Sequence, residues 1–204
     1  MEHTKKKHQN GTFIIGLGKA THHMLADKKE EEPHVISHRG GEVLSSVIKS
    51  YRENREKGNE VHVVFVGRAP NYNTPQKLVP LLRKHVISTP QAEMFKEASI
   101  AAGISKEHVT AIPKGTDLMQ NLIAVKRHLE ELGTTPKIEI HVDGYQAKRT
   151  EMVAKHILEG YQLEVKPIYV PRNFGMRLFE NFIYEPIETV YMWTGAHIHK
   201  LMNK

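Results

Sequence analysis

The chain contains no cysteine, and this absence excludes thiol nucleophiles, disulfide bonds and zinc sites with cysteine ligands. It also lacks any apolar run near the ~20 residues that a membrane-spanning helix needs. No continuous apolar segment of the signal-peptide type follows the N-terminal lysines. We therefore expect a cytoplasmic protein without a membrane span, since a lack of cysteine fits a reducing compartment.

Acidic residues are outnumbered by basic ones, with 23 Asp and Glu against 29 Lys and Arg, which gives a formal net charge of +6. A basic surface attracts phosphate, nucleic acid or an anionic membrane. Part of the excess is local, because Lys5, Lys6 and Lys7 lie in a polar N-terminal segment that reads as a solvated tail. No basic cluster is interleaved with aromatic residues, so nucleic acid is the least favoured partner.

The order of hydrophobic patterns predicts the fold class. Strand-like segments with β-branched residues alternate with segments of helical spacing, and this alternation indicates βαβ units. We expect a Rossmann-like three-layer α/β/α sandwich with a mainly parallel sheet. The predicted strands are TFIIGLG, EVHVVFVG, HVTAIP, KIEIHVDG and QLEVKPIYVP.

The chain of 204 residues suits one domain with terminal extensions. We predict a flexible basic tail over 1–11, the α/β domain over 12–171 and a helical extension over 172–204 that packs on the domain. The extension is rich in aromatic residues, and a homodimer surface is the alternative role for it.

Two predicted helices have recognisable beginnings. Thr89 is expected to cap one helix with Pro90 in its first turn, and Gly103 is expected to end it. Asp117 is expected to cap the next helix.

Ligands of open α/β sheets bind beyond the carboxyl ends of the strands. The first such end is "GLGK", where Gly16, Gly18 and Lys19 could hold an anion through backbone amides and charge. It lacks the spacing of a P-loop and the third glycine of the dinucleotide fingerprint, and a plain strand-end turn is the alternative.

Two further strand ends carry charged residues. Arg68 follows the second strand and could pair with a phosphate or carboxylate, or lie on the surface beside a turn. Asp143 ends a strand, a position where carboxylates serve as ribose acceptors or bases.

Catalytic and metal-binding patterns are weak. Neither the adjacent histidines 22 and 23 nor the pair 197 and 199 has a standard zinc spacing, so we expect no metal. No Ser/His/Asp arrangement can be assigned, because Ser45, Ser46 and Ser88 have no nucleophile-elbow context.

An ordered set of motifs resembles the bacterial domain-of-unknown-function family that contains SanA, ElyC and YdcF. The set begins with the glycine-ended first strand and covers roughly 12–171. It continues through PQAEMFKEASIAAGISKEHV, GTDLMQNLIAVKRHL and IEIHVDGYQAKRTEMVAKHI.

The family's motifs are kept in part. Ala92 and Glu93 fit the family's Ser-Glu-Ala-Glu helix start, and Asn121 fits the end of its Ser-x-x-Thr-x-x-Asn helix start. The departures are Pro90 and Gln91 in the first motif, and Gly115 and Leu118 in the second.

The last family motif is a Tyr-His-x-x-Arg turn after a strand. Tyr145 and Arg149 fit it, but Gln146 stands where the family has histidine. Since glutamine keeps hydrogen bonds but exchanges no protons, this replacement favours binding over acid/base catalysis.

The resemblance implies a Rossmann-like fold. One member of that family is reported to bind S-adenosylmethionine, and other members are associated with the bacterial envelope. We expect a nucleotide-like or S-adenosylmethionine-like ligand at the strand carboxyl ends, with transfer or hydrolysis as the reaction class if there is catalysis. The alternative is a non-catalytic interaction or envelope-related module with a decayed ligand site. The expected ligand-binding residues are Gly16, Gly18, Lys19, Arg68, Glu93, Asn121, Asp143, Gln146 and Arg149.

Overall fold

The computed structural model describes residues 11–17, 38–67, 90–115 and 117–169, together with Val190 and Thr194. The strands in these ranges are β1 (Thr12–Leu17), β2 (Val61–Val66), β3 (Val109–Ile112), β4 (Lys137–Asp143) and β5 (Gln162–Ile168). The α-helices are α1 (His38–Glu56), α2 (Gln91–Ala101), α3 (Leu118–Leu132) and α4 (Ala147–Ile157). Short 3₁₀ helices cover Lys106–His108 and Gly144–Gln146.

The strands form one sheet in the order β3-β2-β1-β4-β5, and each neighbouring pair is parallel. This confirms the predicted α/β class. The chain winds outwards from β1 through β2 to β3, then crosses back to β4 on the other side of β1. The neighbours β1 and β4 therefore form the topological switch point of the sheet.

A separate hydrophobic core covers each face of the sheet. One core joins Ile14 and Phe65 of the sheet to Val47 of α1 and Phe95 of α2. The other joins the alternate residues of the same strands to α3 and α4, and its fully buried members include Ile15, Ile140, Leu122, Leu129 and Leu158. Burial on both faces explains why β1 reads as a continuous apolar run.

The helix beginnings agree with the sequence in one case and differ in the other. Asp117 caps α3 as expected, because its carboxylate accepts a hydrogen bond of 2.8 Å from the Gln120 N–H. The expected cap by Thr89 is wrong, since Pro90 holds the cap position of α2 and has no hydrogen bond from its side chain. Thr89 itself lies outside the described residues.

The predicted terminal segments lie mostly outside the described residues, so their boundaries stay predictions. In the extension, Val190 and Thr194 are helical, and the Thr194 hydroxyl donates to the Val190 carbonyl at 2.9 Å. Among the described helices, none is long and apolar enough to cross a membrane.

Candidate functional site

The switch point brings two predicted ligand-contacting strand ends side by side. Gly16 on β1 pairs in register with His141 on β4, and Leu17 pairs with Val142. Asp143 is the next residue of β4, so its carboxylate lies at the carboxyl edge directly beside the end of β1. The first turn of α1 contains Gly41 and no acidic residue, which suits an anion at this helix end.

Gly16 is explained by packing inside the protein. A Cβ at this position would lie 2.7 Å from the ring of Phe65 and 3.4 Å from Val47. Glycine is therefore required here because the ring of Phe65 packs directly against the backbone of Gly16, between β1 and α1. Its predicted role in approaching a ligand stays a prediction.

The turn after β4 is held by its own side chains. The Asp143 carboxylate is 7% exposed and accepts a hydrogen bond from the Tyr145 N–H at 3.4 Å. The Gln146 side-chain amide donates to the Tyr145 hydroxyl. A Cβ at Gly144 would lie 2.7 Å from the ring of Tyr169, so this ring covers the turn from β5.

Two polar residues at the start of α4 point into the protein. Arg149 is 3% exposed, and Thr150 is completely buried. The Thr150 hydroxyl has no hydrogen-bond partner among the described residues. Arg149 is thus buried beneath the turn in which it was predicted to bind a ligand. A contact between Arg149 and a ligand would require the ligand to reach this buried position.

The predicted residues Glu93 and Asn121 begin helices on opposite sides of the sheet. Glu93 is in the first turn of α2, after β2, and lies 3.9 Å from the Lys96 amine. Asn121 is in the first turns of α3, after the edge strand β3, and its buried amide oxygen has no hydrogen-bond partner among the described residues. Both face the carboxyl edge, but they lie one and two strands away from β1.

Three of the predicted ligand-binding residues have no described position. Gly18, Lys19 and Arg68 lie outside the described residues, so nothing in the fold tests their roles.

A charged cluster that the sequence did not predict lies between α1 and β4, and we call it the Glu139 cluster. The Ser50 hydroxyl donates to the Glu139 carboxylate at 2.7 Å, and the Lys166 amine lies 2.7 Å from the same oxygen. The Ser46 hydroxyl is hydrogen-bonded to His141 Nδ1 at 2.8 Å. His141 Nε2 lies 3.8 Å from Glu139 Oε2, which is beyond hydrogen-bond distance, and Nε2 has no hydrogen-bond partner among the described residues.

The cluster keeps its central carboxylate ionised. The imidazole of His141 is the largest influence that lowers the pKa of Glu139, and Lys166 and Ser50 add to it against the opposing effect of burial. The pKa of Glu139 is therefore well below its ordinary value. Lys137 also contacts this carboxylate, at 3.3 Å, although Glu139 is only 3% exposed.

The sequence held a signal for this cluster. Glu139, His141 and Asp143 alternate with apolar residues of β4, so the period of two places all three on one face of a central strand. Ser46 and Ser50 are four residues apart and share a face of α1. What the sequence could not show is that these two faces meet.

A cleft of about 270 Å³ lies at the opposite, amino edge of the sheet. Two histidines that line this cleft are hydrogen-bonded to neighbouring hydroxyls. His62 Nε2 is 2.8 Å from the Thr110 hydroxyl, and His108 Nδ1 is 2.7 Å from the Tyr51 hydroxyl. His128 Nε2 is buried and has no hydrogen-bond partner among the described residues. Within the described ranges no group of three or more His, Asp or Glu side chains could hold a metal ion.

Comparisons of the chain with models of protein families, with curated proteins and with solved structures found no match.

Proposed function

We propose that the protein binds a nucleotide-like or S-adenosylmethionine-like small molecule at the carboxyl edge of its sheet. The binding place would be the switch point between β1 and β4. The observation that carries this proposal is the strand order β3-β2-β1-β4-β5, which sets the end of β1 beside Asp143. In open parallel sheets the helix layers diverge at such a point and leave a crevice for a ligand.

The chemistry at this edge supports such a ligand. The first turn of α1 has no acidic side chain, and the positive end of the helix dipole there favours a phosphate or carboxylate. Asp143 adds a carboxylate at this edge, and a carboxylate can accept hydrogen bonds from ribose hydroxyls. Gln146, which is half-buried in the adjoining turn, adds an amide that can donate and accept.

The motif resemblance to the SanA, ElyC and YdcF family supports the same location, because its motifs fall at the carboxyl ends of the strands. Glu93, Asn121, Tyr145 and Arg149 are the matching residues at this edge. Membership of that family is part of the proposal. With glutamine at position 146, the proposal favours binding over proton transfer.

A thermal-shift screen tests the proposal with S-adenosylmethionine, nucleotides and sugar phosphates as probes. A ligand that binds only the folded protein adds about 2.7 kcal/mol of stability at ~100 times its dissociation constant. We expect at least one probe to raise the melting temperature. No shift with any of these probes, for a folded sample, would contradict the proposal.

Two glutamine variants locate the bound probe. Gln146→Ala removes an amide at the carboxyl edge, whereas Gln162→Ala removes an exposed amide at the amino end of β5. We expect the first variant to weaken probe binding about tenfold, which is one lost hydrogen bond of about 1.4 kcal/mol. The second should bind like the parent. Equal weakening in both variants would place the site elsewhere.

A further inference from the structure

We propose that Ser46 is a nucleophile that His141 activates, and that it takes the acyl group of an activated ester. The basis is the Ser46–His141–Glu139 arrangement within the Glu139 cluster. A hydroxyl is hydrogen-bonded to an imidazole at 2.8 Å, and the other ring nitrogen faces a carboxylate at 3.8 Å. This is the order of groups that serine nucleophiles use on unrelated folds.

The carboxylate sets the tautomer of the imidazole. The ionised Glu139 carboxylate lies 3.8 Å from Nε2, so its charge, without a hydrogen bond, favours the neutral tautomer that has its proton on Nε2. Nδ1 then carries the lone pair and accepts the hydrogen bond from the Ser46 hydroxyl. In this tautomer the base is aimed at the proton that it must remove.

The carboxylate is itself held in place. Ser50 and Lys166 each contact Glu139 Oε2 at 2.7 Å, one from α1 and one from β5. Glu139 is thus a positioning residue, which acts on Ser46 only through His141. A carboxylate beside the base is the third group in the pattern of an activated nucleophile.

Exposure separates Ser46 from the other members of the cluster. His141 is 1% exposed and Glu139 3%, whereas Ser46 is only partly buried. Its neighbour Ser45 is more exposed and takes no part in the cluster. The chain therefore contains an internal control, a serine that is easier to reach but has no base.

The proposed step is a transfer of the acyl group to serine. The Ser46 oxygen forms a bond to the ester carbonyl carbon, and its proton moves to His141 Nδ1. The bond between that carbon and the leaving alkoxide then breaks, and the proton passes from Nδ1 to the leaving oxygen. The products are an acyl-serine and the free alcohol, with no oxidant or further reactant needed.

A fluorophosphonate probe tests this step on the full-length protein, because the same attack displaces fluoride and leaves a stable phosphonyl-serine. Peptide mapping by mass spectrometry would show which serine is labelled. We expect labelling at Ser46 to exceed that at Ser45. In separate variants, Ser46→Ala should abolish the label at this position and Ser45→Ala should leave it unchanged.

The role of the base is tested by the rate of labelling. We expect His141→Asn to slow it about 100-fold, the usual contribution of a general base, and Glu139→Gln to slow it less. Circular dichroism would establish that each variant is folded. If His141→Asn does not fold, the comparison of Ser46 with Ser45 in the parent still decides.

Two results would overturn the proposal. One is a parent protein in which Ser46 is labelled no faster than Ser45. The other is a folded His141→Asn variant with an unchanged labelling rate. Neither result concerns ligand binding at the carboxyl edge, which the thermal-shift screen tests independently.

Discussion

The amine of Lys166 on the edge strand β5 lies 2.7 Å from the buried carboxylate of Glu139 on β4. This contact ties an edge strand to the sheet through side chains, in addition to the backbone ladder that pairs His141 with Lys166. It also supplies a positive charge to a carboxylate that is 3% exposed. Because a buried charge is costly without partners, the contact has consequences that can be measured.

Removing that amine should destabilise the protein. We expect Lys166→Met to lower the free energy of unfolding by about 1.5 kcal/mol, the usual value of a hydrogen bond to a charged group. Lys155→Met is the matched control, because Lys155 pairs with Glu151 at 2.7 Å on the exposed side of α4. Its loss should cost about 0.3 kcal/mol. Urea denaturation measures both, and equal losses would contradict the expectation.

Acid should remove the contribution of Glu139. Its folded-state pKa lies below its ordinary value of 4.5, chiefly because of His141. The carboxylate therefore stabilises the folded protein above pH 4.5, and that stabilisation is lost as the pH falls below this value. Glu139→Gln should have lower stability at neutral pH and a shallower loss in acid. Parallel curves for the parent and this variant would contradict the prediction.

His128 should make the protein sensitive to mild acid. Burial lowers its pKa below the ordinary 6.5, with Glu131 opposing, so the folded state favours the neutral ring. Protonation is then disfavoured on folding, and stability present above pH 6.5 is lost as the pH falls through this range. We expect His128→Phe to lose less stability between pH 8 and pH 5. An unchanged slope would show that the imidazole titrates freely.

Gly115 should tolerate alanine far less well than Gly103. Both have positive φ angles, of +85° and +97°, so alanine strains both backbones by about 1 to 2 kcal/mol. At Gly103 a Cβ would meet nothing within 4 Å, whereas at Gly115 it would lie 2.8 Å from the Asn121 backbone nitrogen and clash with the Asn121 amide oxygen. The difference in unfolding free energy between Gly115→Ala and Gly103→Ala measures this clash, and a difference near zero would disprove it.

The predicted strands were confirmed because each is a short run of β-branched or alternating residues between turn signals. The segment 137–143 is one example, and it forms β4 as Lys137–Asp143. The cap by Asp117 was predictable for a similar reason, since the interaction spans three residues of one turn. The cap of α2 was predicted wrongly. Thr89 and Pro90 follow each other, and either residue can precede the first turn of a helix, so the local sequence did not determine where α2 begins.

The candidate site was predictable only as a location. Parallel strands put their carboxyl ends on one edge, so Gly16, Glu93, Asn121 and Asp143 could be assigned to that edge from the sequence. Which of these residues are neighbours depends on the order of the strands in the sheet, and the sequence patterns did not predict that order. The order brings Asp143 beside the end of β1 and leaves Asn121 at the far strand.

The sequence by itself determined the alternation of strands and helices, because hydrophobic period and turn chemistry act over a few residues. Only the tertiary structure decided that α1 lies across β4, which brings Ser46 to His141 over a separation of 95 residues. That contact depends on the strand order and on the packing of one face of α1, and both are properties of the whole sheet. Ser46, which has no nucleophile elbow, and His141, which no sequence motif singled out, are thus hydrogen-bonded only because the fold brings them together.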